Sequence, residues 1–249
     1  MTVPLTRPAT ADALFLWVMH RFSAVFEDHA VLKGGMALRL VDSSRATTDI
    51  DYVFMPFGSK VDVRERIERV LNEIEGADIA IRLHSTTLRA DVRVDRVAIQ
   101  VEVSVSTHCP SAAMATAGFA ESLGQPSHIV RVMSWDTALA HKLAAWNERR
   151  LLRDLYDCYF ISARLGRHPD LETLEARLAR IRSRLPGLKS KKTMTKADLA
   201  CALREAVQRM SDADISEELA PLLPESELAG LKDRLRAAAV RLAEWLERS

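Results

Sequence analysis

The stretch whose reading decides the fold runs from Lys33 to Phe54: Lys-Gly-Gly-Met-Ala-Leu-Arg-Leu-Val-Asp-Ser-Ser-Arg-Ala-Thr-Thr-Asp-Ile-Asp-Tyr-Val-Phe. The pair Gly34 and Gly35 opens a short helical segment, a polar loop follows, and a strand then starts with two carboxylates one residue apart. Side chains alternate along a strand, so Asp49 and Asp51 share one face while Ile50 and Tyr52 take the other. Two carboxylates at that spacing suit one hard cation. Backbone amides at a glycine turn beside a helix start suit phosphate. Together they point to metal-assisted chemistry on a nucleoside triphosphate. The plain alternatives are a solvated strand end and an ordinary tight turn. Against the first, Asp is disfavoured in strands, and two of them lead directly into Tyr-Val-Phe-Met.

Outward from this stretch, the composition sets bounds. The chain has 249 residues, 48% hydrophobic and 28% charged, which leaves room for one large globular domain or two ordinary ones. No apolar run reaches the roughly 18 residues that cross a bilayer. The run from Ala13 to Met19 passes into His20-Arg21 without a small-residue cleavage site, so it reads as part of a helix rather than a signal peptide. Cys109, Cys158 and Cys201 form no Cys-x-x-Cys pair, which argues against a disulfide framework or a zinc site and for a reducing cytoplasm. The net charge of +1 is unevenly spread: 13 basic against 16 acidic residues over 1–130, 15 against 8 over 131–200, and 7 against 10 over 201–249. A central basic block fits a polyanionic partner, or simply a set of solvated helix faces.

Periodicity predicts a helix over 12–29, a short helix over 37–41, a buried strand over 50–55 and an amphipathic helix over 61–74. Strands follow over 79–84, 88–94 and 97–106, the last alternating cleanly, with a short one at 129–132. From Ser134 the pattern is helical, over about 135–149, 151–165, 170–184, 195–210 and 225–247. The expected architecture is α+β, with a mixed-sheet domain over 1–133 and a helical domain over 134–249.

The order Lys-Gly-Gly-x-Ala-Leu-Arg-Leu followed by Arg-x-Thr-x-Asp-Ile-Asp resembles the nucleotidyltransferase toxins of the AbiEii/AbiGii family, which include the MenT toxins and belong to the DNA polymerase β-like superfamily. A second block extends the likeness, from His141-Lys142 through Arg149-Arg150 to Arg153-Asp154-Leu155-Tyr156-Asp157. The resemblance covers about residues 31–160. It implies a polymerase β-like mixed sheet flanked by helices, with Mg²⁺ on Asp49 and Asp51. It also implies Lys33, Gly34, Gly35 and Arg45 around the triphosphate, Lys142 gripping it, and Asp154 holding Lys142 or a nearby arginine. Lys33 and Arg45 also read as ordinary exposed cations, and Lys142 as a surface lysine. Glu102, on the polar face of its strand, is the candidate third acid, as a metal ligand with Asp49 and Asp51 or as the base for the attacking hydroxyl; an exposed sheet face has the same pattern. Asp157 reads as a local partner of Arg153, four residues away, and His141 as structural. One position departs from the superfamily pattern: Met36 stands where Ser or Thr usually follows the glycines.

By resemblance, the expected activity is transfer of a nucleotidyl group from ATP, CTP, GTP or UTP to RNA, in particular the 3′ end of tRNA, with growth arrest as its consequence and a cognate antitoxin as partner. The basic block between Arg149 and Lys192 would guide the RNA backbone, with no membrane involved. Two alternatives stay open: nucleotidylation or phosphorylation of a protein partner, and a non-catalytic nucleic-acid-binding relic of the fold.

Overall fold

Every residue from Leu14 to His20 is buried, so helix α1 (Ala11–Phe26) is enclosed by its neighbours rather than laid on a surface. Thr10 caps it by accepting from the amide of Ala13. The computed structural model describes residues 8–249. They divide into two units, one ending at Ser134 and the other running from Trp135 to Ser249.

The N-terminal unit is a seven-stranded mixed sheet with helices. Its elements after α1 are β1 (Ala30–Lys33), α2 (Gly34–Arg39), β2 (Asp49–Phe54), α3 (Val61–Leu71), β3 (Ala77–Leu83), β4 (Leu88–Val94), β5 (Val97–Val105), β6 (Ser111–Ala115), α4 (Ala117–Glu121) and β7 (Ile129–Met133). The strand order is β3-β4-β5-β2-β1-β7-β6. Only β1/β7 and β2/β5 run parallel; the other neighbours are antiparallel. Helix α1 packs on β1, β5 and β7, and its Phe22 and Phe26 meet Tyr52 and Phe54 of β2. The Phe26 and Phe54 rings sit edge to face with centroids 4.7 Å apart, the geometry aromatic quadrupoles favour. The inner side of β2 is thereby fixed to the core, and its other side is left for Asp49 and Asp51.

The helical unit comprises α5 (Trp135–Arg149), α6 (Leu152–Tyr159), α7 (Leu171–Leu178), α8 (Lys196–Arg209), α9 (Asp212–Glu218), α10 (Glu225–Leu228) and α11 (Leu231–Arg248). A π-helical turn, Phe160–Arg164, continues α6. Capping boxes start α8 (Thr195 with Asp198) and α9 (Ser211 with Asp214). Helix α11 buries Leu235, Ala239, Leu242 and Leu246 and packs on α8 and α6. No helix among the described residues is long and apolar enough to cross a membrane.

Several expected boundaries shift. The helix expected over 170–184 stops at Leu178, and the one over 225–247 is broken by Gly230 in the left-handed region at φ 64°. Strand β1, strand β6 and helices α4 and α9 are additions to the elements expected from periodicity. Four residues are too few to show alternation, Ser-Ala-Ala-Met-Ala is poor in strand formers, and Asp-Ala-Asp-Ile-Ser-Glu-Glu has a single large apolar residue to mark a face.

On α1, the buried His20 stacks on His128 at 3.9 Å, and its Nε2 lies 3.1 Å from the hydroxyl of Thr116. Burial, and then the neighbouring His128, hold the His20 pKa down to about 4 against an ordinary 6.5. Between those values the unfolded chain takes up a proton that the folded chain refuses, so stability declines as pH falls through 6.5 toward 4, by up to about 1.4 kcal/mol per pH unit. Urea midpoints of wild type and His20→Gln, measured from pH 7.5 to 4, should show the steeper acid loss in the wild type; parallel curves would refute the assignment.

Candidate active site

The glycine turn exists because β2 comes too close for a side chain. Gly34 has φ +73°, and a Cβ built on it would lie 2.3 Å from Oδ2 of Asp51. Gly35 is crowded from another side: its Cβ would meet Nη2 of Arg45 at 2.9 Å and Thr47 at 3.1 Å. Only glycine satisfies both the backbone conformation and the approach at position 34. The aspartate and the turn therefore converge on one place. Lys33, the last residue of β1, is in register with Asp51, and its Nζ stands 4.0 Å from Oδ1 of that aspartate.

Asp49 and Asp51 are both half-buried on the side of β2 opposite the buried Ile50 and Tyr52. The hydroxyl of Thr47 donates to Oδ1 of Asp49 at 2.5 Å, which orients that carboxylate. Asp51 is in register with Glu102 on the parallel strand β5, and Glu102 with Arg89 on β4. The row across the sheet reads Lys33, Asp51, Glu102, Arg89, with backbones about 4.8 Å apart. Two adjacent carboxylates are thus flanked by a cation at each end. Arg89 donates to Glu102 at 2.9 Å, and this bond raises the arginine pKa.

Among the described residues, no group of three His, Cys, Asp or Glu side chains is placed to hold a metal ion. Glu102, in register with Asp51 on the neighbouring strand, has its carboxylate engaged by Arg89. The two aspartates by themselves fit magnesium, which takes one or two carboxylates and leaves its remaining positions to water and phosphate oxygens.

Two neighbouring residues are placed by the packing around the turn. Arg45 is not an exposed cation: it is buried against Gly35 and donates to the carbonyl of Ala46 at 3.1 Å. Met36 is fully buried in the core, so position 36 contributes packing and no hydroxyl.

In the helical unit, α5 and α6 carry a second charged group. Asp154 and Asp157 are 1% and 0% exposed. Arg149 grips Asp154 with a two-pronged contact at 2.7–2.8 Å from Nη2, with Nε at 3.1 Å. Nζ of Lys142 lies 2.6 Å from Oδ2 of Asp157 and 3.6 Å from Oδ1 of Asp154. Lys142 is therefore held mainly by Asp157. The expected Asp157–Arg153 pair is absent: Arg153 is exposed, and the burial of Asp157 turns it toward α5. The signal that could have found this was the apolar setting of Tyr156-Asp157-Cys158, where a charge needs a partner from another helix. His141 accepts a structural contact from Arg177 at 3.2 Å.

With this geometry in hand, comparison with known proteins decides the family. Residues 17–241 match the model of the nucleotidyl transferase AbiEii toxin family, of type IV toxin–antitoxin systems. The chain belongs to the AbiEii nucleotidyltransferase toxin family. No curated protein matches it in sequence. Its fold is similar to MenT4, a nucleotidyltransferase toxin of Mycobacterium tuberculosis H37Rv, with a TM-score of 0.57 and 18% identity over 96% of this chain and 85% of that one. It is also similar to JHP933 of Helicobacter pylori, with a TM-score of 0.54 and 17% identity over 96% and 92% of the two chains. The α+β nucleotidyltransferase architecture expected from the sequence is thus present. As an AbiEii-family member the chain is a nucleotidyltransferase of the toxin type, which implies a nucleoside triphosphate substrate and an antitoxin partner.

Gly34→Ala should lower stability by about 2 kcal/mol or more, because it combines a left-handed backbone with overlap onto Asp51. Gly58→Ala, where a Cβ meets open space, is the control expected to be near neutral in the same melts. Asp157→Ala should cost about 3 kcal/mol, the usual loss on breaking a buried pair. Arg153→Ala should stay within about 0.5 kcal/mol. Equal urea midpoints for these last two variants would contradict the assignment of Lys142 to Asp157.

Proposed function

We propose that this AbiEii-family protein transfers a nucleotidyl group from a nucleoside triphosphate to RNA, with the 3′ end of tRNA as acceptor, and so blocks translation and growth in the cytoplasm. The observation that carries the reading is the seating of Asp51 against the glycine turn, with Asp49 beside it on the same strand face. In this proposal Asp49 and Asp51 hold Mg²⁺, which when bound offsets charge on the triphosphate and its pyrophosphate leaving group. The turn at Gly34 and Gly35 admits the phosphates to backbone amides, and Lys33 and Arg45 supply positive charge near them.

The terminal hydroxyl of the acceptor would attack the α-phosphorus, forming a phosphodiester bond as the α–β anhydride bond breaks and pyrophosphate leaves. Glu102 is the candidate to take the proton of that hydroxyl, Arg89 being its partner beforehand. Lys142 is assigned the neutralisation of triphosphate charge, with Asp157 and Asp154 fixing its ammonium and Arg149 fixing Asp154. The positive balance of residues 131–200 supports a polyanionic acceptor over a protein one.

The test is incorporation of each of the four labelled nucleotides into total RNA in the presence of Mg²⁺. Label should appear at tRNA 3′ ends. Asp49→Asn and Asp51→Asn should each reduce it at least about a hundredfold with little change in melting temperature. Chelation should abolish transfer and added Mg²⁺ restore it. Label found only in protein, or undiminished in the Asp51 variant, would refute the proposal.

A further inference from the structure

The segment 180–192, Arg-Ile-Arg-Ser-Arg-Leu-Pro-Gly-Leu-Lys-Ser-Lys-Lys, holds six cations and no acid. Elsewhere in the helical unit many cations are matched, Arg149 with Asp154, Arg177 with Glu148, Lys196 with Glu175, Arg204 with Glu247 and Lys232 with Asp212, and those that are not, such as Arg153 and Arg167, stand apart rather than in a run. Arg180, Arg182, Arg184, Lys189, Lys191 and Lys192 are all exposed, and among the described residues none of them pairs with a carboxylate. Six like charges in thirteen residues repel one another, so folding by itself gives no reason to gather them.

The segment is nevertheless built. The amide of Ile181 donates to the carbonyl of Lys192 at 3.0 Å, closing the neck of a compact surface loop. Ile181 and Leu188 are buried beneath it. Glu148 spends its carboxylate on the backbone amide of Arg182 at 3.1 Å, and its carbonyl accepts from the Ser183 hydroxyl at 2.7 Å. Along 180–184 burial alternates, with Ile181 inward and Arg180, Arg182 and Arg184 outward. That is the pattern of an extended stretch presenting three guanidinium groups to solvent.

We propose that this loop holds the RNA acceptor by its phosphate backbone. The inference rests on the RNA-acceptor reading given above. The loop has no aromatic residue for base stacking, and Trp146, Tyr156, Tyr159 and Phe160 of the same unit are buried. It has no exposed large apolar side chain to enter a membrane. What remains is charge on a hydrogen-bonded frame, which contacts phosphates without reading bases and makes affinity depend on salt.

The test is binding of a fluorescein-labelled tRNA transcript across a salt series, with transfer kinetics on the same RNA. Replacing all six cations by Gln should weaken binding at least about tenfold near 0.15 M salt. It should also make the plot of log affinity against log salt shallower by about 0.7–0.9 for each lost contact. KM for tRNA should rise by a similar factor, while kcat at saturating tRNA and KM for the nucleotide stay within about twofold. A variant with Arg180, Arg182 and Arg184 alone changed to Gln should show about half the change in slope, and changing those three to Lys should leave binding nearly intact. Melting temperatures close to wild type would confirm that both Gln variants fold. If wild type binds and labels tRNA and the Gln variants match it in affinity and slope, the loop proposal is overturned while the RNA reading stands. If wild type neither binds nor labels tRNA, both fall. Loss of binding to phosphatidylserine vesicles in the Gln variants, with tRNA binding unchanged, would also overturn the proposal.

Discussion

The N-terminal unit turns on one close approach: the carboxylate of Asp51 occupies space that any side chain at position 34 would need. Antiparallel pairing of β1 with β2 brings Lys33 and Asp51 into register, so the next residue, Gly34, must bend sharply into α2 directly beside the aspartate. Aromatic packing of Tyr52 and Phe54 against α1 fixes the other side of β2 and prevents the strand from relaxing away. Motif and core are therefore coupled, and a loss of packing beneath β2 would be felt as a displacement of its carboxylates.

Charge is handled differently in the two units. On the sheet, Asp51 and Glu102 lie side by side and half-exposed, bracketed by Lys33 and Arg89. In the helical unit two carboxylates are fully withdrawn from water and compensated by Lys142 and Arg149. Buried pairs of this kind add little net stability compared with an apolar core, but they strongly resist losing one member. They hold a lysine in one geometry, a property that packing of flexible side chains does not supply.

Much of this was legible in the sequence, for identifiable reasons. Val97 to Val105 alternates over nine residues, and α5 is bounded by Ser134 and Arg150, so both elements were readable from pattern. The Gly-Gly and Asp-x-Asp motifs were readable because each residue type has few structural excuses for its position. What escaped depends on long-range contact. Strand β1 is four residues long and is defined by its partners β2 and β7 rather than by its own pattern. Whether Arg45 was a residue of the phosphate site or a surface cation could not be read locally, because nothing near it in sequence shows that Gly35 makes room for its buried side chain. Asp157 looked like a partner for Arg153 because sequence offers the i,i+4 neighbour and hides the lysine fifteen positions upstream.

The three cysteines differ in a way that follows from the same packing. Cys201 is exposed on α8, whereas Cys109 and Cys158 are buried and their thiols are pushed upward, Cys109 to about 11. Burial and the adjacent Asp154 and Asp157 keep the sulfur of Cys158 protonated and sluggish toward electrophiles. A maleimide dye would thus attach first at Cys201. Much slower modification of Cys158 would clock how often α6 opens, turning a silent sulfur into an internal gauge of breathing around Lys142.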